Sequence, residues 1–240
     1  MESVNAQLEK DVDQKQKLLA QRKELTDHLS HEMKTLLGVI RAYAEGLQDE
    51  TDLEKQKKYT QVIVSETELM NRMIISLLDL SALEAGAVKL LPERFDFIEF
   101  TETVGGRLLM DIPDDDFQLE YELPGQKVYV NADKGRMEQV LDNLIINGKK
   151  NVIPGGIIRI SVHVADSKLY FSIYNQGMTI PEEQLSKIWT KFYKSNRANH
   201  NGSGLGLAIV AQILAMQDMD YGVNNCTDEV EFYFAMPIME

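Results

Sequence analysis

The stretch Leu29-Ser30-His31-Glu32-Met33-Lys34-Thr35 places an imidazole beside a carboxylate within a run of strong helix formers. Leu, Glu, Lys, Gln, Met and Ala dominate the residues on either side, and all six prolines of the chain lie at or after Pro92. The first third of the chain is therefore predicted to be helical. His31 then lies on a helix, where its ring can act as a nucleophile if the chain also holds a group for it to attack.

The composition limits the kinds of protein this chain can be. With 240 residues, 44% of them hydrophobic, it can bury a core in one or two domains. A formal net charge of -13 argues against nucleic acid or an anionic membrane surface as a partner, because both bind clustered Lys and Arg. The single cysteine, Cys226, excludes an internal disulfide and fits a reducing compartment. No apolar run approaches the roughly 18 residues of a membrane-spanning helix, so we expect no membrane insertion by this chain.

The first third of the chain predicts a helical hairpin. Residues 36–47 and about 54–83 each carry a helical repeat of apolar residues, and the polar stretch 48–52 separates them. One hairpin cannot cover two wide apolar stripes, so we expect two copies to pack as a four-helix bundle and the protein to be a homodimer. The preceding residues approach the heptad spacing of a coiled coil. The heptad positions are Leu8, Val12, Leu19 and Leu29.

After Pro92 the pattern changes to strands interleaved with helices. Partial alternation of β-branched or aromatic residues predicts strands, with a hairpin turn at Asp166-Ser167. Asp96 is expected to cap a helix that reaches about residue 109. Strands and helices in this order predict a sheet with helices on one face. The predicted strands are 128–130, 157–164, 169–174 and 230–236, and the two later helices are 134–150 and 204–216.

Two asparagines and a lysine recur on one face of the helix predicted over 134–150. These residues are Asn143, Asn147 and Lys150, and apolar residues supply the opposite face. A carboxamide oxygen can ligate Mg²⁺ without adding the repulsion that a carboxylate would bring to a polyphosphate, and a lysine supplies a counter-charge. The alternative is the solvated face of an ordinary amphipathic helix, and this helix taken alone favours that alternative.

The loop after the strand predicted over 169–174 has the residues of a base-recognition site. Asn175 follows directly on the strand, and Gly177 lets the chain turn tightly. An amide there can read the hydrogen-bonding edge of a purine, although a plain loop is the simpler explanation for this stretch alone. Aromatic residues then cluster over 189–193, where they either anchor a lid or belong to the core. The polar residues 195–201 have the composition of a flexible flap.

The glycine-rich turn Gly202-Ser203-Gly204-Leu205-Gly206-Leu207 is predicted to open a helix. Glycines allow a close approach of the backbone, and the unpaired N–H groups and dipole of a helix start favour an anion. By itself such a turn is weak evidence. Preceded in this order by the amide helix and the strand-end loop, it indicates a phosphate-binding site in the same chain as His31.

In this order the motifs resemble those of the cytoplasmic core of bacterial two-component sensor histidine kinases, over almost the full chain. Five motifs in the family's order make the resemblance specific. The Asn-x-Gly form of the first glycine box is similar to vancomycin-resistance-type sensor kinases. The matches are the H box from His31, the N box at Asn143, Asn147 and Lys150, the first glycine box at Asn175 and Gly177, the F box over 189–193 and the second glycine box over 202–207.

The resemblance implies a fold of the α plus α/β class in three parts. A coiled-coil signalling helix is expected over 1–25, a dimerisation and histidine phosphotransfer domain over 26–90, and an ATP-binding catalytic domain over 91–240. The second part would be a helical hairpin forming a dimeric four-helix bundle. The third would be a two-layer α/β sandwich of the histidine kinase, gyrase and Hsp90 ATPase type.

The reaction that the resemblance implies uses ATP and Mg²⁺. The γ-phosphoryl group passes to His31 and then to an aspartate in the receiver domain of a response regulator. Glu32 would accept the proton that the ring loses, Thr35 would orient the water that dephosphorylates the regulator, and Asn147 would ligate the metal. The chain is then expected to be the cytoplasmic portion of a membrane-anchored sensor. The residues implied to bind nucleotide are Asn143, Asn147, Lys150, Asn175, Gly177, Ile180, Phe192, Tyr193, Gly202, Gly204, Leu205, Gly206 and Leu207.

Four residues depart from the family pattern. Asn175 replaces an aspartate, Thr179 a glycine, Asn151 a frequent aromatic ring, and Leu36 a common proline. Because leucine keeps the backbone N–H that proline lacks, the helix kink of the family is expected to be lost or softened. The departures leave two alternatives open: a kinase-deficient phosphatase of the regulator, and a nucleotide-binding dimeric scaffold without phosphotransfer.

Overall fold

The computed structural model describes residues 2–109, 117–194 and 202–239, which divide into two compact units between Ile74 and Ile75. None of the helices in these ranges is both long and apolar enough to cross a membrane. The helices are α1 (Glu2–Asp49), α2 (Leu53–Glu84), α3 (Phe97–Leu109), α4 (Lys134–Asn151), α5 (Glu182–Leu185) and α6 (Gly206–Met216). The strands are β1 (Glu93–Asp96), β2 (Phe117–Glu122), β3 (Tyr129–Ala132), β4 (Gly156–Ala165), β5 (Lys168–Gln176), β6 (Asp220–Asn225) and β7 (Glu229–Pro237).

In the first unit, α1 and most of α2 form the predicted helical hairpin. Asp52 starts α2, because its Oδ1 accepts a hydrogen bond from the backbone N–H of Glu54 at 2.9 Å. The rings of Tyr43 and Tyr59 meet edge to face, with centroids 5.2 Å apart. This aromatic pair holds the two helices together beside the turn.

The hairpin bears on the expected loss of the helix kink at Leu36 and on the expected dimer. α1 continues without a break past Leu36, as expected for a residue that keeps its backbone N–H. Leu37, Leu53 and Val64 are exposed by 49%, 77% and 51%. Apolar side chains of this size on two neighbouring helices are what a second copy would cover. The side chains of the heptad positions Leu8 and Leu19 lie outside the described residues.

The second unit contains the predicted two-layer α/β sandwich. Its five-stranded sheet has the order β2-β4-β5-β7-β6, with β2 parallel to β4 and the other neighbours antiparallel. Alternate residues of β4 are buried, so one face of the sheet packs against the helices. Phe97, at the start of α3, lies at the centre of this core, with its ring centroid 6.2 Å from Phe171 and 6.1 Å from Phe234. The Asp166-Ser167 turn is confirmed, with φ of 50° and 59°.

The end of α2 belongs to the second unit by packing. Leu80 and Leu83 are buried, and Asp79 accepts hydrogen bonds from Arg136 at 2.9 Å and from Gln139 at 2.6 Å. These contacts place the division between the compact units inside α2, earlier than the predicted domain boundary after residue 90. The helix is continuous there, so its sequence carries no sign of the change in packing partner.

The face of the sheet away from the helices carries a polar cluster centred on Glu231. Its carboxylate accepts hydrogen bonds from Ser172 at 2.8 Å, Tyr174 at 2.7 Å and Asn224 at 2.9 Å. Burial works to raise the pKa of Glu231, but the hydrogen bonds outweigh it and lower the pKa below its ordinary value of 4.5. Burial, together with Glu231, raises the pKa of Tyr174 to about 12. The cluster therefore joins β5, β6 and β7 through an ionised carboxylate.

Acidification is expected to weaken this cluster. A carboxyl group whose pKa is lowered by folding contributes stability above its unfolded pKa, and this contribution is lost as the pH falls through the folded value. The Glu231→Gln variant lacks this contribution. The difference in free energy of unfolding between the parent and Glu231→Gln, measured with urea, should therefore be larger at pH 7 than at pH 4. A difference that stays constant between these pH values would contradict the lowered pKa.

Candidate functional site

Helix α4 presents the polar face that the sequence predicted. Asp133 caps it, because its Oδ1 accepts from the backbone N–H of Arg136 at 3.0 Å. The opposite face is buried, which leaves Asn143 and Asn147 half-buried at its edge. Asn151 donates from Nδ2 to the Asn147 carbonyl at 2.8 Å and to Asn147 Oδ1 at 3.2 Å. The residue that replaces the family's aromatic ring thus touches the predicted metal ligand. The buried residues of α4 are Met137, Val140, Leu141, Leu144, Ile145 and Gly148.

The last turn of α4 lies directly against the end of β5. Asn175 is buried, with 2% of its surface exposed. A methyl group added at Gly148 would lie 3.9 Å from Asn175 Cβ. One added at Gly177 would lie 2.6 Å from the backbone oxygen of Asn151, too close for any side chain. Gly177 therefore allows the close contact between the amide helix and the strand-end loop, whereas a methyl group at Gly148 would make only ordinary van der Waals contacts.

The glycine-rich turn 202–207 lies against the same helix. A methyl group at Gly206, the first residue of α6, would lie 2.7 Å from Asn143 Oδ1, and one at Gly202 would lie 3.6 Å from Lys150 Nζ. Leu205, the N-cap of α6, makes no side-chain capping hydrogen bond, and Ser203 Oγ accepts from its backbone N–H at 3.3 Å. The N–H groups and dipole at such a helix start favour an anion.

The aromatic cluster over 189–193 packs in the core and is joined to the glycine-rich turn. Trp189 packs edge-on against Tyr221 and Phe232, with centroids 5.0 and 5.9 Å away. Phe192 is buried, and its backbone N–H donates to the Gly204 carbonyl at 2.8 Å. This bond joins the two segments that flank the predicted flap. The flap itself, 195–201, lies outside the described residues.

The loop after β5 is held by residues that sequence reasoning missed. Asn225 Oδ1 accepts from the Ile180 N–H at 2.9 Å, and Asn225 Nδ2 donates to the Ile180 carbonyl at 2.6 Å. The carbonyl of Asp228 accepts from the Gly177 N–H at 3.1 Å. Both residues lie at the β6–β7 turn, and β6 was not predicted. Its sequence, Asp220 to Asn225, contains Gly and Asn, which are uncommon in strands.

The predicted phospho-acceptor residues lie in the first unit. His31 is exposed on α1, and Thr35 Oγ1 donates to the His31 carbonyl at 3.1 Å. Glu32 is half-buried beside them. The predicted nucleotide-binding residues lie in the second unit, where α4, the end of β5, the segment 189–193 and the turn 202–207 meet.

The chemistry of the donor set fits a polyphosphate with a hard cation. No group of three or more His, Cys, Asp and Glu side chains in the described part of the chain could hold a metal by itself. Asn147 offers one neutral oxygen and Lys150 one positive charge. Mg²⁺ keeps several waters and is commonly held by one or two protein oxygens together with substrate phosphates. A metal would therefore enter this site with the nucleotide.

Comparisons with known proteins match two different domain families to the two parts of the chain. The model of the His Kinase A (phospho-acceptor) domain matches residues 21–86, and that of the histidine kinase-, DNA gyrase B- and HSP90-like ATPase matches residues 132–238. Sensor histidine kinase WalK of Bacillus subtilis (strain 168) is 30% identical over 213 residues, which cover 85% of this chain and 34% of WalK. The chain thus spans about a third of the length of the curated relatives it matches.

Solved structures show the same fold. The catalytic domain of histidine kinase ThkA has a TM-score of 0.57 and 28% identity, covering 62% of this chain and 96% of that chain. Histidine kinase ThkA in complex with response regulator protein TrrA has a TM-score of 0.74 and 23% identity, covering 90% of this chain and 61% of that chain. The two domain matches, in this order along the sequence, show that the chain belongs to the bacterial two-component sensor histidine kinases and carries their phospho-acceptor and ATPase regions.

Proposed function

We propose that this chain transfers the γ-phosphoryl group of ATP to a ring nitrogen of His31 and then to an aspartate of a response regulator, and that it also dephosphorylates that regulator. One observation carries the nucleotide part of the proposal. The amide face of α4, the buried Asn175, and the backbone at Gly202 and Gly206 converge on one side of the α/β unit.

Each part of the nucleotide has a counterpart in this arrangement. The amide of Asn175 pairs with the edge of adenine, beside the loop that bears Ile180. Lys150, next to Gly202, faces the phosphates together with the first turn of α6. Asn147 contributes its carboxamide oxygen to Mg²⁺, and the metal neutralises charge on the phosphates when it is bound. Asn175 lacks the charge of the usual aspartate, so its hydrogen bond to an amino group is weaker than a charge-assisted one.

The residues around His31 support the chemical step. A bond forms between a neutral ring nitrogen and the γ-phosphorus, the bond from that phosphorus to the bridging oxygen breaks, and ADP leaves with the electron pair. The proton on the other ring nitrogen passes to Glu32, the adjacent residue in sequence. Thr35, one helical turn further, orients the water that later attacks the phosphoryl group on the regulator. The exposure of His31 leaves it accessible to both partners.

Partners and location follow from the same assignment. The exposed apolar residues of α1 and α2 support a homodimer. The solved complex of histidine kinase ThkA with response regulator protein TrrA supports a receiver domain as the second substrate. The similarity to a sensor histidine kinase supports a cytoplasmic location for this chain, as the core of a membrane-anchored sensor. The resemblance to vancomycin-resistance-type kinases stays a prediction.

Labelling with radioactive ATP tests the proposal. Incubation with γ-labelled ATP and Mg²⁺ should attach a label that survives alkali and is lost in acid, as expected for phosphohistidine. A receiver domain added afterwards should remove the label. Nucleotide binding without any label would instead support the regulator phosphatase or the dimeric scaffold, and release of phosphate from a phosphorylated receiver domain separates those two.

Replacing Gly204 with alanine should disable the nucleotide site without unfolding the domain. Gly204 has φ of +67°, and a methyl group there would lie 2.8 Å from the Cα and carbonyl carbon of Phe192. The turn can relieve this strain only by moving away from Phe192, and ATP binding must then restore its conformation at a cost on the order of 1–3 kcal/mol. We therefore expect the Kd for ATP to rise about tenfold or more. Isothermal titration measures this. Gly125→Ala, where a methyl group meets no atom within 4 Å, is the matched control, and equal Kd values for both variants would contradict the assignment.

A further inference from the structure

The loop between β5 and α5 depends on the β6–β7 turn for its position. Met178, within it, is 65% exposed, so part of the loop has little packing to hold it. Its first residue, Gly177, is tied by its N–H to the Asp228 carbonyl at 3.1 Å. Further along, both backbone polar groups of Ile180 are engaged by the side chain of Asn225, at 2.9 and 2.6 Å.

The β6–β7 turn is itself a firm support. Asn225 is the last residue of β6 and pairs with Val230 of β7, whose side chain is buried in the core. The N–H of Cys226 donates to the Glu229 carbonyl at 2.8 Å and closes the turn. The loop after β5 is therefore fastened at two points to a hairpin that is anchored in the sheet.

The pair of hydrogen bonds between the Asn225 side chain and the Ile180 backbone requires an amide. Asn225 accepts from the N–H and donates to the carbonyl of one residue, as a neighbouring strand would. An aspartate could accept from the N–H but has no proton for the carbonyl, and its charge would face the carbonyl oxygen. An alanine offers neither group. The pattern of one acceptor and one donor on the same side chain is thus specific to this residue type.

We propose that Asn225 is a positioning residue for nucleotide binding, which holds Ile180 and its loop in the conformation that receives the adenine ring. This inference rests on the proposed assignment of the base to the Asn175 loop. A loop fixed before binding loses less conformational entropy when the ligand arrives, so the bond contributes to affinity. Asn225 lies beside the position assigned to the adenine base and away from the one assigned to the phosphates, so it contributes little to the transfer step.

The test compares Asn225→Ala and Asn225→Asp with the control Asn224→Ala in the full chain. Asn224 is the preceding residue of the same strand, and its side chain bonds Glu231 on the outer face of the sheet. Asn225→Ala loses both hydrogen bonds, and Asn225→Asp loses the one to the carbonyl and places a negative charge against that oxygen. Each variant should therefore raise the Kd for ATP and for ADP about tenfold. The KM for ATP in autophosphorylation should rise by the same factor, while kcat stays within about twofold of the parent. The control should bind both nucleotides as the parent does.

The outcomes separate this inference from the assignment on which it rests. A parent chain that binds neither ATP nor ADP would overturn the proposed function and the inference together. A parent that binds both, with Asn225 variants that bind equally well, would overturn the inference alone. A fall in kcat without a rise in KM would also contradict it. Thermal unfolding without nucleotide checks the fold, and Asn225→Asp, which keeps the size of the side chain, serves if Asn225→Ala unfolds.

Discussion

Replacing His31 with glutamine should abolish labelling of the chain by γ-labelled ATP. Glutamine has a similar size and favours the helix, but its amide nitrogen has no available lone pair to attack phosphorus. Binding of ATP should be unchanged, because the predicted nucleotide residues belong to the second compact unit. We expect the label to fall to background, as in nucleophilic catalysis that loses its nucleophile.

His28→Gln is the matched control for this experiment. His28 is exposed on the same helix, one turn before His31, so both variants lose one surface imidazole. The control should be labelled as strongly as the parent. Labelling of His31→Gln at the parent level, or loss of label in His28→Gln alone, would place the acceptor elsewhere and contradict the role assigned to His31.

Replacing Asn147 with alanine should reduce the labelling rate about a hundredfold or more. The substitution removes the carboxamide oxygen assigned to Mg²⁺, and loss of one group that stabilises developing charge commonly costs 10²- to 10³-fold in rate. The chain should remain folded, because Asn147 lies at the half-buried edge of α4 while the buried face of the helix is untouched. Labelling time courses at several Mg²⁺ concentrations measure the loss, and light scattering checks the dimer.

Asn131→Ala is the control for Asn147→Ala. Asn131 is exposed on β3, in the two-stranded ribbon with β1, so its removal takes one amide from the same unit at a place away from the site. Its labelling rate should match the parent. If Asn147→Ala were labelled at the parent rate, the metal would have to be held by other groups, and the role assigned to the helix amide would be wrong.

Much of the fold could be predicted because its elements carry local patterns. The helical repeats of the first third predicted the hairpin of α1 and α2, and the turn residues Asp166 and Ser167 predicted the junction of β4 and β5. β1 and β6 were missed for a physical reason. β1 is short and pairs with β3, which lies far along the chain. β6 contains residues that disfavour strands, and it forms by pairing with β7, a strand of the main sheet. β2 was also missed, although its residues alternate between apolar and polar from Phe117 to Glu122, a pattern that indicates a strand.

Some residues of the candidate site could likewise be predicted from the sequence, and others could not. The side chains proposed to carry the chemistry, such as His31, Asn147 and Lys150, could be recognised in the sequence because the proposed roles require particular residue types. Asn225 was not visible, because an asparagine near a turn is ordinary until the fold brings it against Ile180. The same holds for Asp79 and Arg136, whose ion pair joins the end of α2 to α4. Such partners are distant along the chain, and no local period connects them.

The sequence by itself determined the helical hairpin, the α/β unit and the order of the motifs along the chain. Apolar periodicity and the choice of Gly, Asn and His act over a few residues and can be read in one dimension. Only the tertiary structure decided which segments meet. It placed the last turns of α2 on the α/β unit, laid Gly206 against Asn143, and held the Ile180 loop with Asn225. Those contacts depend on how sheet and helices close around one core, a cooperative choice made by many distant side chains at once.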